Sequence, residues 1–434
     1  MKRPIIIVLL IVALLFVLGG IGAVIYFSVR GNGNFFTGGT QPFATLEESK
    51  TLKVGAESPV TLKVINEAGT VTVIGADVKT VEVNVIKTAH DRTQTGAEKE
   101  LKAIKYTIEQ AGNTVTISYK LPKQTVFDVH ADTVDFTVTV PNETMVNIDN
   151  NLGDVGVSNI KGNAVIVNDF GEVKVDNIEG AVSASSNSGN VNAASIKAGS
   201  AEIDLHSDFG TITLRNAGGG SITLESNSGT ITLREVRATG DITTKTDFGN
   251  TSFENGSTNS LSIETKSGAV ILKKVTVSKG IKVQDDFGEI QLEESLATSY
   301  NLNTNSGSVT VDGAKGKLKA HTEFGGIIVQ NAQSVTLDLK TNSGTVDFSG
   351  SLGEGPHTLE SDFGEIVMTL PVDARLNVDL KTDFGSIDSE MPITVVTHGS
   401  SNSNGDQIVG SINGGGEQLT VSTKSGGVHL NTGK

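Results

Sequence analysis

The sequence predicts an all-β fold: a β-solenoid of about 13–14 coils of 18–21 residues, preceded by a single N-terminal transmembrane helix. Three observations lead there. A short corner signature returns at nearly constant spacing over the last two thirds of the chain. The composition is rich in Gly and poor in large aromatics. Residues 4–29 are almost free of charge.

The signature is a polar residue, then Phe or Ser, then Gly, then a strand. Its glycines are Gly153, Gly171, Gly189, Gly210, Gly229, Gly249, Gly268, Gly288, Gly307, Gly325, Gly344, Gly364 and Gly385, with Gly426 closing the series. The signature also alternates. Asp169-Phe170-Gly171 is followed by Asn187-Ser188-Gly189, then Asp208-Phe209-Gly210, then Asn227-Ser228-Gly229, and so on to Asp362-Phe363-Gly364. Asp383-Phe384-Gly385 breaks the alternation. The true unit is therefore a pair of coils.

Within a coil the pattern is strand, turn, strand, turn. Thr211-Ile212-Thr213-Leu214 and Ser221-Ile222-Thr223-Leu224 each alternate polar with apolar residues, the period of half-buried strands. The recurring Gly suits corners that require positive φ. One such unit cannot bury its apolar face alone, whereas stacking at about 4.8 Å per coil builds a continuous core.

Stacking also explains the alternation of charge. Asp on every coil would bring carboxylates roughly 5 Å apart; interleaved Asn or Lys doubles that separation. Seven of the 16 Phe occupy the signature. The expectation is that Phe170, Phe209, Phe248, Phe287, Phe324 and Phe363 point inward and fill one corner of the interior.

The composition narrows the function. The chain has 434 residues with 50 Gly, 4 Tyr and neither Trp nor Cys. Without cysteine there is no disulfide framework, Cys-based zinc site, thiol nucleophile or lipid-anchor cysteine. A net charge of −15 repels nucleic acid and anionic headgroups.

Residues 1–3 read as a cytoplasmic N-terminus and 4–29 as the transmembrane helix, because the apolar run exceeds the ~20 residues that span a bilayer. Lys2 and Arg3 on its N-terminal flank place the bulk of the chain outside the cytoplasm. A cleaved signal peptide is the competing reading, but the run continues beyond Gly19-Gly20 through Tyr26-Phe27. Residues 30–45 form a Gly/Asn-rich linker. Residues 46–150 are a β-rich capping region with strands at 50–54, 60–66, 70–74, 81–87, 114–119 and 134–140, and a helix at 97–104. Residues 151–434 are the solenoid repeats.

Three stretches resemble a known family. They are Leu62 to Val73 (LKVINEAGTVTV), Phe136 to Pro141 (FTVTVP), and the ending Gly410-Ser411-Ile412-Asn413-Gly414-Gly415-Gly416 with Leu419 to Thr423 and Ser425 to Val428. Over residues 46–434 the chain is similar to the putative adhesin family of bacterial β-strand repeat proteins, DUF4097. The resemblance implies a location at a prokaryotic cell surface, with some relatives tied to envelope stress. It implies no catalytic residues.

Other chemistries fit poorly. Asp-Phe-Gly in protein kinases holds magnesium, but here it repeats without a Gly-rich loop or catalytic loop. His90, His130, His206, His321, His357, His398 and His429 are scattered, with no metal-ligand spacing. The acidic column Asp169, Asp208, Asp247, Asp286 and Glu323 places its carboxylates on alternate coils, near 10 Å apart, too far to share calcium. Polysaccharide lyases and hydrolases also use β-helices, but they need a cleft of clustered carboxylates on inserted loops, and the coils here are uniform.

No catalytic, cofactor-binding or metal-binding residue is therefore assigned. The expected function is non-enzymatic: a membrane-anchored, extracytoplasmic adhesin or surface module that meets cell-wall glycan or a surface protein. The alternative is an envelope-stress accessory protein acting through a membrane partner.

Overall fold

The computed structural model describes residues 42–55, 59–121, 132–399 and 405–433. The transmembrane segment expected at 4–29 lies outside the described residues. Among the described residues no helix is long and apolar enough to cross a membrane.

The chain opens with β1 (Phe43–Lys53), β2 (Val60–Asn66), β3 (Val71–Ala76), β4 (Thr80–His90), α1 (Gln94–Ala103), β5 (Tyr106–Ala111), β6 (Thr114–Tyr119), β7 (Thr133–Pro141), β8 (Thr144–Leu152) and β9 (Val155–Ile160). The expected strands at 60–66 and 114–119 fall on β2 and β6. β5 has no expected counterpart, because Tyr106-Thr-Ile-Glu-Gln-Ala has only an edge to offer and is mostly exposed. Helix α1 sits three residues upstream of its expected start: Thr93 caps it, its side chain accepting from the Gly96 N–H at 3.0 Å.

From β8 onward each coil supplies two strands, and each pairs in parallel with its equivalent in the next coil. Thr144–Leu152 pairs with Ala164–Phe170, which pairs with Val182–Ser188 and then Ile203–Phe209. In the second ladder Val155–Ile160, itself stacked on β3, leads to Val173–Ile178 and Val191–Ile196. Parallel strands with both edges paired need apolar residues on the inner face, and the period-2 pattern supplies them. Ile203, Ile222, Ile242, Leu261, Ile281 and Tyr300 form one interior column; Ile212, Ile231, Thr251, Val270 and Ile290 form another.

About 11 successive turns follow chain order, fewer than the 13–14 coils expected. At the C-terminal end sequence order and stacking order part. His357–Phe363 pairs in parallel with Glu417–Ser425, and Glu417–Ser425 pairs in turn with Leu376–Phe384. The last strand of this ladder in sequence is the penultimate one in space. Asp406–Ile412 then runs antiparallel along Leu376–Phe384, and Ile393–Gly399 runs antiparallel to Asp406–Ile412.

At the other end, β6 stacks on β2 and β7 on β3, both in parallel. β4 then pairs antiparallel with β7, β1 with β4, and β5 with β6. Both ladders at the N-terminal end, and the Leu376–Phe384 ladder at the C-terminal end, thus change from parallel to antiparallel pairing, which ends the template that a bare parallel edge offers to other chains.

The two recurring corners differ in chemistry. One is the Gly signature. The other is a left-handed position occupied by Asn159, Asn177, Asn216, Asn255 and Asn331, with φ between 48° and 60°. Asn tolerates this conformation better than other side chains with a Cβ. Sequence reasoning missed this column, because Asn marks only some of its coils and Ser195, Glu235, Lys274 and Glu294 hold the same left-handed position in others.

Candidate functional site: an exposed phenylalanine ladder

The Gly corner is built from the inside outward. A Cβ added to any signature glycine would stand 1.9–2.3 Å from the carbonyl oxygen of the corresponding glycine one coil earlier. Positive φ is not the shared cause. Gly249 has φ +156°, whereas Gly229 lies outside the left-handed region and is equally crowded, 2.0 Å from the Gly210 oxygen. Backbone approach between coils excludes a side chain there.

Just before the corner, a buried polar column faces inward. Ser186, Ser207, Ser226, Thr246, Thr304, Thr322, Thr341 and Ser361 donate their hydroxyls to the signature-glycine carbonyls of the preceding coil at 2.9–3.2 Å. Asn150 and Asn168 hold the same place earlier in the stack and are joined by a 2.9 Å side-chain bond. These bonds satisfy carbonyls that would otherwise be buried without a partner.

This column occupies the space that the sequence reading gave to phenylalanine. The expectation that Phe170, Phe209, Phe248, Phe287, Phe324 and Phe363 point inward is overturned. Phe170 is 48 % exposed, Phe248 63 %, and Phe209, Phe287, Phe324 and Phe363 are each 64 % exposed. Phe384 is exposed as well. Their recurrence in the signature pointed to a core column, but the chain bends after the hydroxyl position. The interior of the corner is filled by backbone and hydroxyls, and Phe projects from its apex.

The column is continuous in space. Leu152 pairs with Phe170, Phe170 with Ser188, and Ser188 with Phe209. The order continues through Ser228, Phe248, Ser267, Phe287, Ser306, Phe324, Ser343 and Phe363. Ser425 and Phe384 complete it. No two ladder rings are in contact: the described aromatic pairs are Phe43 with His90 and Tyr106 with Phe136. Ring-bearing coils stand roughly 10 Å apart, two strand spacings. Single exposed hydrophobics are ordinary, whereas a contiguous series marks an interaction surface.

The residue before each ring is acidic, and its counterpart on the serine coils is Asn or Lys. The Asn227 amide donates to Asp208 Oδ1 at 2.6 Å, and that of Asn305 to Asp286 Oδ1 at 3.2 Å. Lys266 Nζ pairs with Asp247 at 2.6 Å and Lys424 Nζ with Asp362 at 2.7 Å. The interleaved residues thus bridge to the carboxylates as well as separating them. Among the described residues, no group of three His, Asp or Glu side chains is placed to hold a metal ion.

Two hollows lie at the N-terminal end. One, of about 340 Å³, is lined by residues including Val60, Val78, Pro141 and Lys161. The other, of about 380 Å³, gathers Glu48, Lys87 and Tyr106. There the Tyr106 hydroxyl donates to the Glu48 carboxylate, and Lys87 Nζ lies 3.4 Å from the same carboxylate. Burial, then the bond to Glu48, pushes the Tyr106 phenol up to about 12, while the phenol and Lys87 hold Glu48 below the usual carboxylate range. The three groups satisfy one another, as in a structural pin between β1, β4 and β5.

The family model described as Toastrack DUF4097 matches residues 71–255 and again 253–431. No curated protein matches the chain. Among solved structures, a putative cell adhesion protein of Clostridium sporogenes is 9 % identical at a TM-score of 0.20, covering 90 % of this chain and 100 % of that one. A putative adhesin of Parabacteroides distasonis is 14 % identical at a TM-score of 0.35, covering 66 % and 97 %. One of Bacteroides fragilis is 13 % identical at 0.26, covering 67 % and 99 %. The assignment rests on the sequence match, which spans the stack from β3 to the closing strands: the chain belongs to the Toastrack DUF4097 family.

Proposed function

We propose that this protein is a non-enzymatic adhesion module whose binding face is the phenylalanine ladder. The observation that carries this reading is the unbroken exposed column from Phe170 to Phe384. Residues 4–29 anchor the stack in the cell membrane with the bulk outside the cytoplasm. The ladder faces a surface protein or cell-wall glycan. Exposed aromatic side chains lose unfavourable hydration when covered and dominate interface energetics.

The test uses vesicles carrying the full chain, added to cells of the producing organism. Vesicles with the wild-type chain adhere saturably, and those carrying Phe209→Ser, Phe248→Ser, Phe287→Ser and Phe324→Ser together do not. Adhesion unchanged by the four substitutions overturns the ladder as the binding face. Absence of adhesion by the wild type overturns the adhesion reading and favours a partner within the membrane.

A further inference from the structure

We propose that the ladder's partner is a second copy of this chain, packed antiparallel about the ladder's midpoint, so that the Phe coils from Phe170 to Phe363 of one copy meet Ser coils of the other and Phe384 meets Leu152. This rests on the reading of the ladder as a binding face and names what it binds.

Two alternations share one phase. Coils that carry Phe also carry Asp or Glu immediately before it; coils that carry Ser carry Asn or Lys there. A two-fold axis perpendicular to the stack, passing between neighbouring coils, brings identical columns face to face with their order reversed. Counted from Leu152 to Phe384, the ladder's midpoint falls between Ser267 and Phe287. Through that point, Phe287 faces the second copy's Ser267, and Phe248 faces its Ser306. The same operation sets Asp286 opposite Lys266 and Asp169 opposite Lys424. Shape and charge are therefore matched by a single symmetry element, as an isologous interface requires.

The gaps suit such an occupant. Rings roughly 10 Å apart leave a slot over each serine that receives one ring from the facing column. The area is also sufficient. A covered aromatic side chain buries about 150–250 Å². Seven that are about three-fifths exposed contribute on the order of 800 Å² per copy, the share of each partner in a stable interface. In-phase pairing, Phe upon Phe, would crowd the rings and set acid against acid.

The absence of cysteine makes the register directly testable by thiol crosslinking of the full chain in detergent. Phe248→Cys and Ser306→Cys are made as separate variants. Within one chain these positions are three coils apart, about 14 Å, too far for an internal disulfide. In the proposed dimer each variant's thiol is equally far from its own counterpart. Oxidising a mixture of the two gives a covalent dimer on a denaturing gel, and oxidising either alone does not. Adding Phe209→Ser, Phe287→Ser and Phe324→Ser to both variants abolishes the product.

No dimer in the mixture, or equal dimer from each variant alone, overturns the antiparallel register. A glycan strand lying along the ladder gives the first of these results. Ladder-dependent adhesion of vesicles to cells without crosslinking leaves the adhesion reading standing and removes self-pairing. Crosslinking without adhesion does the reverse.

Discussion

Ser425 pairs with both Phe363 and Phe384, although it follows both in the chain. The two consecutive Asp-Phe-Gly corners that break the sequence alternation are thereby separated in space, and the Phe/Ser order is kept to the last coil. Gly426 stands likewise between Gly364 and Gly385, each approached by the carbonyl of the one beneath.

This closing strand holds the end of the stack together. A chain ending at residue 404 loses the buried Ile412, Leu419, Val421, Val428 and Leu430, each worth about 1.5–3 kcal/mol. It also bares the edges of His357–Phe363 and Leu376–Phe384. The expected outcome is a lower melting temperature and aggregation on heating, read by circular dichroism with light scattering. An unchanged melting temperature would show that the closing strand lies outside the cooperative unit.

Crowding at the Gly corner makes a sharp mutational contrast. Gly229→Ala drives a methyl to 2.0 Å from the Gly210 oxygen and is expected to cost about 2–4 kcal/mol. Gly156→Ala meets nothing within 4 Å and stays within about 0.5 kcal/mol of wild type. Urea unfolding midpoints of the two variants measure the difference.

The hydroxyl column predicts a smaller effect. Thr322→Val keeps the volume but removes the 2.9 Å bond to the Gly307 carbonyl. Leaving that oxygen without its donor costs about 1–3 kcal/mol, with the ladder unchanged. Equal stability of the two proteins would mean that another donor replaces the hydroxyl.

Asp285 stands in the hydroxyl column and is fully buried. Its Oδ1 accepts from the Phe287 N–H at 3.2 Å, while Oδ2 has no partner. Burial pushes its carboxyl up to about 6, against the opposing hydrogen bonds from the Phe287 and Asp286 backbone. The folded state therefore holds its proton more tightly than the unfolded chain. The resulting stability is fully present below about pH 4 and is lost as pH rises through about 6, up to about 3 kcal/mol. Asp285→Thr should be more stable than wild type at pH 7.5, with the gap closing toward pH 4. A gap independent of pH would show that Asp285 is not the titrating group.

His357 gives the opposite slope. It is buried between Leu337 and Leu419, its Nδ1 accepts from the Leu337 N–H at 3.3 Å, and its Nε2 has no partner. Burial holds its pKa below the usual imidazole value. Its stability is present above about pH 6.5 and is lost as pH falls through the lowered folded value. His357→Leu should therefore flatten the acid side of the stability profile. Calorimetric scans between pH 5 and 8 separate this effect from that of Asp285.

Periodicity carried most of the fold. The signature glycines, the strand alternation and the charge interleaving of Asp with Asn or Lys are all visible in the chain, because each reflects contact between successive coils. The direction of the rings was not visible. Counting by two places Phe170 on the same face as Ile166 and Asn168, and only the bend after Asn168 turns it outward. Nor does any local signal tell that Glu417–Ser425 enters the stack ahead of Leu376–Phe384. Its one trace is the doubled Asp-Phe-Gly, which reads as an irregularity until the spatial order is known.

Because the ladder's phase belongs to pairs of coils, the length of the stack is quantised. Phe170, Phe209 and Phe248 follow at intervals of 39 residues. Duplicating or deleting one such segment lengthens or shortens the molecule by roughly 10 Å and leaves every ring beside a serine. Gain or loss of a single coil brings two rings, or two serines, together. With specialised strands closing each end, heritable changes in reach are confined to the middle of the molecule and proceed by whole double coils.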